Sequence, residues 1–271
     1  MDNRSLLKIG VKAALLAGEE ILRIYLTDFH VETKSDNTPV TNADKASGAI
    51  IARVLAETQI PLISEEDTIA AYHDRQHWQR VWLIDPLDGT KEYVKRNGEF
   101  AVNIALVENN YPTIGIIYSP ILKQIYFGAK GLGSYRITWS DSIVELTPNN
   151  LADSLFEYAH RLPLQTTPPV YTMVASRSHL SREINDHLDK LKRLYGDVNL
   201  INAGSSIKQC WVAEGKAHEY PRFGKTMEWD TAAGQCILEE AGGALLHYET
   251  GLPLTYNKED LQNPYFIAKR R

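Results

Sequence analysis

Apolar positions near the start of the chain recur at helical spacing. Across residues 5–26, Leu6, Gly10, Ala13, Ala17, Ile21 and Ile24 fall on one face. The stretch after Thr41 repeats the pattern with Ala46, Ile50, Ile51, Val54 and Leu55, so a second amphipathic helix is expected there. The period then changes. PLISEE (61–66) and VWLID (81–85) are short apolar runs ending in acids, as in buried strands that deliver carboxylates at their ends. AVNIALVEN (101–109), TIGIIYSP (113–120) and QIYFGAK (124–130) read as meander strands, each closed by turn residues. Beyond Pro163, Pro168 and Pro169 the elements alternate: strand-like YTMVAS (171–176), a helix near 181–194, strand-like VNLINAG, and a helix from Ser205. A last helix is expected over 231–241, stopped by Gly242 and Gly243. The sum is an α/β (α+β) chain with a mixed sheet-and-helix N-terminal half, 1–155, and an α/β C-terminal half, 156–271.

Composition adds limits. Hydrophobic residues at 44% and charged residues at 23% are ordinary for a soluble globular protein. A net charge of −5 gives no footprint for a nucleic-acid polymer. It leaves room for a small anionic partner, because a divalent cation reverses the local sign of an acidic pocket. Cys210 and Cys236, the two cysteines, lie in apolar helical contexts and read as buried, reduced thiols. Lys8, Lys12, Glu19 and Glu20 interrupt the N-terminal apolar stretch too often for a signal peptide or membrane span. A cytoplasmic protein, at most peripheral on the inner membrane, is expected; oligomeric state is not readable.

The candidate chemistry lies in WLIDPLDGTKEY (82–93). Asp85 is expected to end a strand, Pro86 to break the ladder, and Asp88-Gly89 to force a turn. That geometry can bring both carboxylates and the Leu87 carbonyl into one small space, with the Thr90 hydroxyl beside them. Hard cations such as Mg²⁺ take oxygen ligands of this kind. The same residues can serve turn chemistry alone. Glu65 and Glu66 end the preceding strand, and Asp230 stands just before a helix, where it could cap the N–H groups of residues 231–233. Thr41-x-x-Asp44 is a capping-box pattern, and taken alone Asp44 is a cap. Glu65, Asp85, Asp88 and Asp230 could not be packed together without cations, and two or three ions would offset them and a phosphate.

DPLDGT (85–90), SEE (64–66) and WD-x-A-A-G (229–234) resemble the inositol monophosphatase superfamily of magnesium-dependent, lithium-sensitive phosphatases. Within it, PVTNADKAS (39–47), NGEFAVNIALV (97–107), AGSSIKQCWVAEGKA (203–217) and YPRFGKTMEWDTAAGQ (220–235) are similar to bacterial 3'(2'),5'-bisphosphate nucleotidases. The resemblance implies a layered αβαβα sugar-phosphatase fold with its site between the two halves. It implies Asp85 bridging two metals, with Glu65 and the Leu87 carbonyl on one and Asp88 and Asp230 on the other. Thr90, with Glu65 or Asp44, would orient the attacking water. The implied reaction is Mg²⁺-dependent removal of the 3'-phosphate of adenosine 3',5'-bisphosphate, giving AMP in sulfur assimilation, with inositol-1-phosphate or fructose-1,6-bisphosphate hydrolysis as the rival.

Gly204, Ser205 and Ser206 precede a helix carrying Lys208, and N–H groups at a helix start beside a lysine make an anion site. A plain polar cap is the alternative. By the resemblance, Ser176 and His179 face the nucleotide, and the phosphate end meets Glu65, Leu87, Asp88, Gly89, Thr90 and Asp230. Tyr220, Arg222 and Phe223 can hold adenine or a phosphate, or form interdomain packing. His73 and His77 have i,i+4 spacing but polar surroundings, and take no role. Residues 68–80 carry no motif; a mobile lid there would alter substrate access.

Overall fold

Helix α1 (Asn3–Tyr25) starts where the Asp2 carboxylate accepts the Ser5 N–H at 2.8 Å. It buries the expected stripe from Leu6 to Ile24. Two short strands, β1 (Val31–Thr33) and β2 (Pro39–Thr41), pair antiparallel before helix α2 (Asn42–Leu55). The computed structural model describes residues 1–27, 29–33, 39–139, 154–166, 168–176 and 181–270. The buried stripe of α2 is rotated from expectation. Ala43, Ser47, Gly48, Ile51 and Leu55 are buried, whereas Ala46, Ile50 and Val54 are only partly so. The small residues face inward because the β4 backbone comes close: the Ser47 hydroxyl donates to the Pro86 carbonyl at 3.1 Å, and a Cβ on Gly48 would touch the Pro86 ring at 3.3 Å.

The first sheet has seven strands in sequence order: β3 (Leu62–Ser64), β4 (Arg80–Asp88), β5 (Ala101–Glu108), β6 (Tyr111–Ser119), β7 (Gln124–Ala129), β8 (Gly133–Thr138) and β9 (His160–Arg161). Helix α3 (Tyr72–Arg75) lies between β3 and β4, and α4 (Thr90–Val94) follows β4. Apolar runs are continuous because both sheet faces are covered. On β4 and β5, Trp82, Ile84, Val102, Ile104 and Leu106 pack toward α1 and α2. Val81, Leu83, Ala101, Ala105 and Val107 pack the other way, toward helices α6 (Ile207–Glu214) and α7 (Ala232–Glu240).

The second sheet holds β10 (Tyr171–Ser176), β11 (Val198–Ala203), β12 (Glu219–Arg222), β13 (Gly243–His247) and β14 (Phe266–Arg270) in the order β11-β10-β12-β14-β13. Helix α5 (Arg182–Tyr195) covers its outer side through Ile184 and Leu191. Helices, sheet, helices, sheet and helix give the αβαβα layering expected from the resemblance. Strand β9 pairs with β8, so the first sheet reaches beyond residue 155. The C-terminal strands β12, β13 and β14 were not read from the sequence; the YPRF segment is mostly strand β12. No helix among the described residues is long and apolar enough to cross a membrane.

Gly115 of β6 lets the middle layer approach, since a Cβ there would run into the Ala233 carbonyl of α7. Gly115→Ala should therefore destabilise by about 1–3 kcal/mol through overpacking, measured as a lower urea midpoint at unchanged slope.

Candidate functional site

Strand β4 pairs regularly with β5 up to Asp85, opposite Asn103, and then slips before Asp88 resumes opposite Ala101. The strand was expected to end at Asp85. It instead continues through a bulge, where Pro86 is tolerated because the ladder is already broken. The Leu87 N–H donates to Asp85 Oδ1 at 3.0 Å, fixing that carboxylate across the bulge. Gly89 then takes φ +92°, and a Cβ there would sit 3.0 Å from the Glu99 carbonyl. The turn places Thr90 at the start of α4.

Glu65 follows β3 directly, its N–H donating to the Ile84 carbonyl at 3.3 Å. Asp230 closes a 3-10 turn, Glu228–Asp230. Carboxylate oxygens of Glu65, Asp85 and Asp230 lie within 4.8 Å of one another. Each like-charged pair at that separation costs about 3 kcal/mol at an effective dielectric of about 20. Three pairs approach the whole stability of a domain, about 5–15 kcal/mol. Protons or cations must offset them, and an all-carboxylate donor set with the Leu87 carbonyl nearby fits a hard divalent cation.

Asp88 takes a different posture. Its Oδ2 accepts from the Ser205 hydroxyl at 2.7 Å, the Ser206 N–H at 2.6 Å and the Asn103 amide at 3.4 Å. The Gly204 N–H is likewise taken, by Glu99 at 2.9 Å. The helix-start anion site expected at 204–206 is thus largely filled by the protein's own carboxylates. Ser205 holds φ +55°, a left-handed conformation rare for serine. Lys208 is buried, donates back to the Ser205 carbonyl at 2.5 Å, and lies 5.3 Å from the centre of the Tyr220 ring.

Asp44 is the capping residue its pattern predicts. Its Oδ2 accepts the Thr41 N–H and hydroxyl, both at 2.7 Å. Its other oxygen faces the site, 3.0 Å from the Thr90 hydroxyl, which also lies 3.2 Å from the Leu87 carbonyl. Asp230 does not cap α7 as expected. Its Oδ2 reaches back to the Met227 N–H at 2.8 Å because the 3-10 turn curls the chain before α7 begins. Glu66 stands outside the cluster, and His73 is an exposed partner of Asp74.

Two openings meet at the acids. One, of about 530 Å³, is lined by Glu65, Asp85, Leu87, Asp88, Thr90 and Asp230. The other, of about 700 Å³, shares Asp88, Gly89 and Asp230 and runs to Ser176, Lys208, Tyr220 and Arg222. Arg222 donates to the Lys225 carbonyl at 3.2 Å, while its buried Nε has no hydrogen-bond partner among the described residues. His179 lies outside the described residues. Sequence reasoning missed Glu92, Glu99, Asn103, Lys91 and Lys225, which line the cleft or bond its rim. Glu92 and Glu99 fall within TKEY (90–93) and NGEFAVNIALV (97–107), but nothing local marks them as lying against Gly204.

A family model described as "Inositol monophosphatase family" matches residues 2–270. The 3'(2'),5'-bisphosphate nucleotidase CysQ of Salmonella typhimurium is 41% identical over 255 residues, covering 92% of this chain and 94% of the relative. The crystal structure of CysQ from Bacteroides thetaiotaomicron, a bacterial member of the inositol monophosphatase family, superposes with a TM-score of 0.87 at 44% identity, covering 99% and 98% of the two chains. The extragenic suppressor protein suhB of Bartonella henselae shares the fold, with a TM-score of 0.73 at 22% identity over 98% of this chain and 94% of that one.

Burial is the first cause raising the carboxyls of Asp44, Asp85, Glu92, Glu228 and Asp230, and neighbouring acids push Asp85 and Asp230 further. A carboxyl raised in the folded state binds more protons there than in the unfolded chain. Stability therefore falls as pH rises through the raised values. Metal-free protein should melt at a higher temperature at about pH 5 than at about pH 7.5. Mg²⁺ added at the higher pH should close most of that gap in a thermal-melt series.

Proposed function

The chain belongs to the inositol monophosphatase family, and on that premise we propose that it is a Mg²⁺-dependent 3'(2'),5'-bisphosphate nucleotidase, hydrolysing adenosine 3',5'-bisphosphate to AMP and phosphate. One observation carries the substrate class. The opening at the acid cluster shares Asp88, Gly89 and Asp230 with a second opening that Lys208, Arg222 and the Tyr220 ring also line. A substrate with one phosphate at the acids, a flat ring and a second anion at the far end matches that order of groups. The buried, unpartnered Arg222 Nε supports an anion there, because leaving such a donor unmet costs about 1–3 kcal/mol.

Glu65, Asp85, Asp230 and the Leu87 carbonyl would hold the cations, two or three in number, with Asp88 contributing the oxygen not committed to Ser205 and Ser206. Bound there, the ions would supply positive charge to the phosphate and lower the pKa of water. The remaining roles fall to the chain. Thr90 orients the attacking water through its hydroxyl. Its proton passes toward Asp44 Oδ1, whose partner oxygen is already fixed by Thr41. As the water oxygen bonds phosphorus, the bond to the 3' oxygen breaks in line and that oxygen takes up a proton from solvent water, while Asp44 later returns its proton to solvent. Burial raises Asp44 above the ordinary carboxylate range, which makes it a stronger proton acceptor than an exposed aspartate.

At the far end, Lys208 is lowered to about 8, since burial outweighs the attraction of Asp88, Glu92 and Glu99. A bound second phosphate would raise it again and hold it charged. Gly89, Gly204, Ser205, Ser176 and Tyr220 shape the cleft between the two ends. Cys210 and Cys236, free and buried, favour a reducing cytoplasmic setting.

Phosphate release with Mg²⁺ should be fastest from adenosine 3',5'-bisphosphate and slow from inositol-1-phosphate and fructose-1,6-bisphosphate. Asp88→Asn should abolish all three. Arg222→Ala should cost the nucleotide about 1.5–3 kcal/mol in kcat/KM, the worth of a charged hydrogen bond, and leave inositol-1-phosphate nearly unchanged. A preference for inositol or sugar phosphate would keep the metal chemistry and overturn the reading of the far end.

A further inference from the structure

Residues 68–80 have no motif in the sequence, yet their one buried side chain reaches the far end of the chain. Arg75 is 3% exposed, and its guanidinium donates to four oxygens. Nε meets the Ala70 carbonyl at 3.2 Å, one terminal nitrogen meets Asn257 Oδ1 at 2.8 Å and the Lys258 carbonyl at 2.6 Å, and the other meets the Glu259 carbonyl at 2.9 Å. Asn257 returns a bond, its amide donating to the Arg75 carbonyl at 2.8 Å. The segment so gripped has no helix or strand to fix its shape, and Asn257 itself holds φ +60°.

That same segment grips the turn carrying Asp230. The N–H groups of Asn257 and Lys258 donate to the fully buried Glu228 carboxylate at 2.5 and 3.0 Å, and the Lys258 ammonium joins them at 2.5 Å. The Glu228 N–H donates in turn to the Leu261 carbonyl at 2.9 Å. The Asn263 amide holds the Met227 carbonyl at 2.6 Å, and Met227 is the residue whose N–H fixes Asp230 Oδ2. The contacts of Arg75 with the loop and of the loop with the turn are direct hydrogen bonds, and Glu228 and Asp230 are joined through the turn itself.

We propose that Arg75 is a positioning residue of the metal site. Its guanidinium sets the loop at 257–259, the loop sets the Glu228 turn, and the turn aims Asp230 at Glu65 and Asp85. This rests on Asp230 being a metal ligand, as proposed above. A lysine cannot replace the arginine, because a single ammonium cannot span four oxygens laid out around a planar guanidinium. The segment is thereby a brace for the acid cluster rather than a lid over the cleft.

The test compares Arg75→Lys, Asn257→Gly, Asp230→Asn and Leu191→Ala in the metal-stripped full chain. Asn257→Gly keeps the left-handed backbone accessible while removing the side chain, and serves if Arg75→Lys does not fold. Leu191→Ala lowers stability from the outer layer, away from the acids. Mg²⁺ binding is measured by calorimetry where all variants are folded, and phosphate release is followed against Mg²⁺ concentration. Arg75→Lys should weaken Mg²⁺ binding about tenfold, the low end of what outer supports of a metal ligand contribute. Its kcat should recover toward wild type at saturating Mg²⁺, and Asn257→Gly should shift the same way. Leu191→Ala should melt earlier with Mg²⁺ affinity unchanged. If Asp230→Asn weakens binding and both brace variants bind like wild type, Arg75 merely stabilises the fold and the inference falls alone. If Asp230→Asn binds Mg²⁺ like wild type, the metal reading of Asp230 falls and takes the inference with it.

Discussion

Mutual repulsion among the carboxylates of Glu65, Asp85 and Asp230, of which Asp85 is buried and the other two half-buried, with Asp88 adjoining, is the constraint around which this molecule is built. Left to themselves these groups would take up protons or drift apart. They come from three separate parts of the chain, so no local interaction can hold them together. The fold supplies the restraint by hydrogen bonds on one side of the Asp85, Asp230 and Asp88 carboxylates. Leu87 holds Asp85, Met227 holds Asp230, and Ser205 with Ser206 hold Asp88. What the restraint leaves open is an all-oxygen cavity, the environment a hard cation prefers.

The same bonds tie the two sheets together. Asp88 belongs to a strand of the first sheet, whereas Ser205 and Ser206 lead from the second sheet into the shared middle helices. One carboxylate oxygen therefore joins the metal side to the cleft side. Asn103 completes the junction by accepting the Ser206 hydroxyl at 2.6 Å. Under the proposed function, a cation on Asp88 and a nucleotide at 204–208 would act on opposite ends of one short network, and any effect of one on the affinity of the other would be reciprocal.

Small residues decide how closely these parts approach. Ser47 and Gly48 admit the Pro86 bulge against α2, Gly115 admits α7 against β6, and Gly89 lets the chain turn under Glu99. Ser47, Gly48 and Gly115 line neither opening at the acids. Each sets a spacing that longer side chains would enlarge, and in a close-packed interior such spacing is not adjustable at low cost.

Much of this was legible beforehand. Helical periodicity gave α1, and continuous apolar runs gave β4 through β7, because patterns of 3.6 and of buried strand depend on local spacing alone. The acids at 65, 85 and 230 and the Thr41–Asp44 box were visible for the same reason: each sits beside a change in the local pattern, although β4 itself runs on past Asp85 to Asp88. Three things were not. Strands β12 to β14 are short and pair across distant segments. The α2 stripe turned toward Ser47 and Gly48 because a bulge from another strand fills that space. The N–H groups at 204–206 looked free for a ligand, yet Glu99 and Asp88 reach them from the other sheet. Sequence by itself determined which groups can bind a cation and where elements begin. Tertiary structure decided which hydrogen bonds those groups spend on one another, since that depends on distances between residues far apart in the chain.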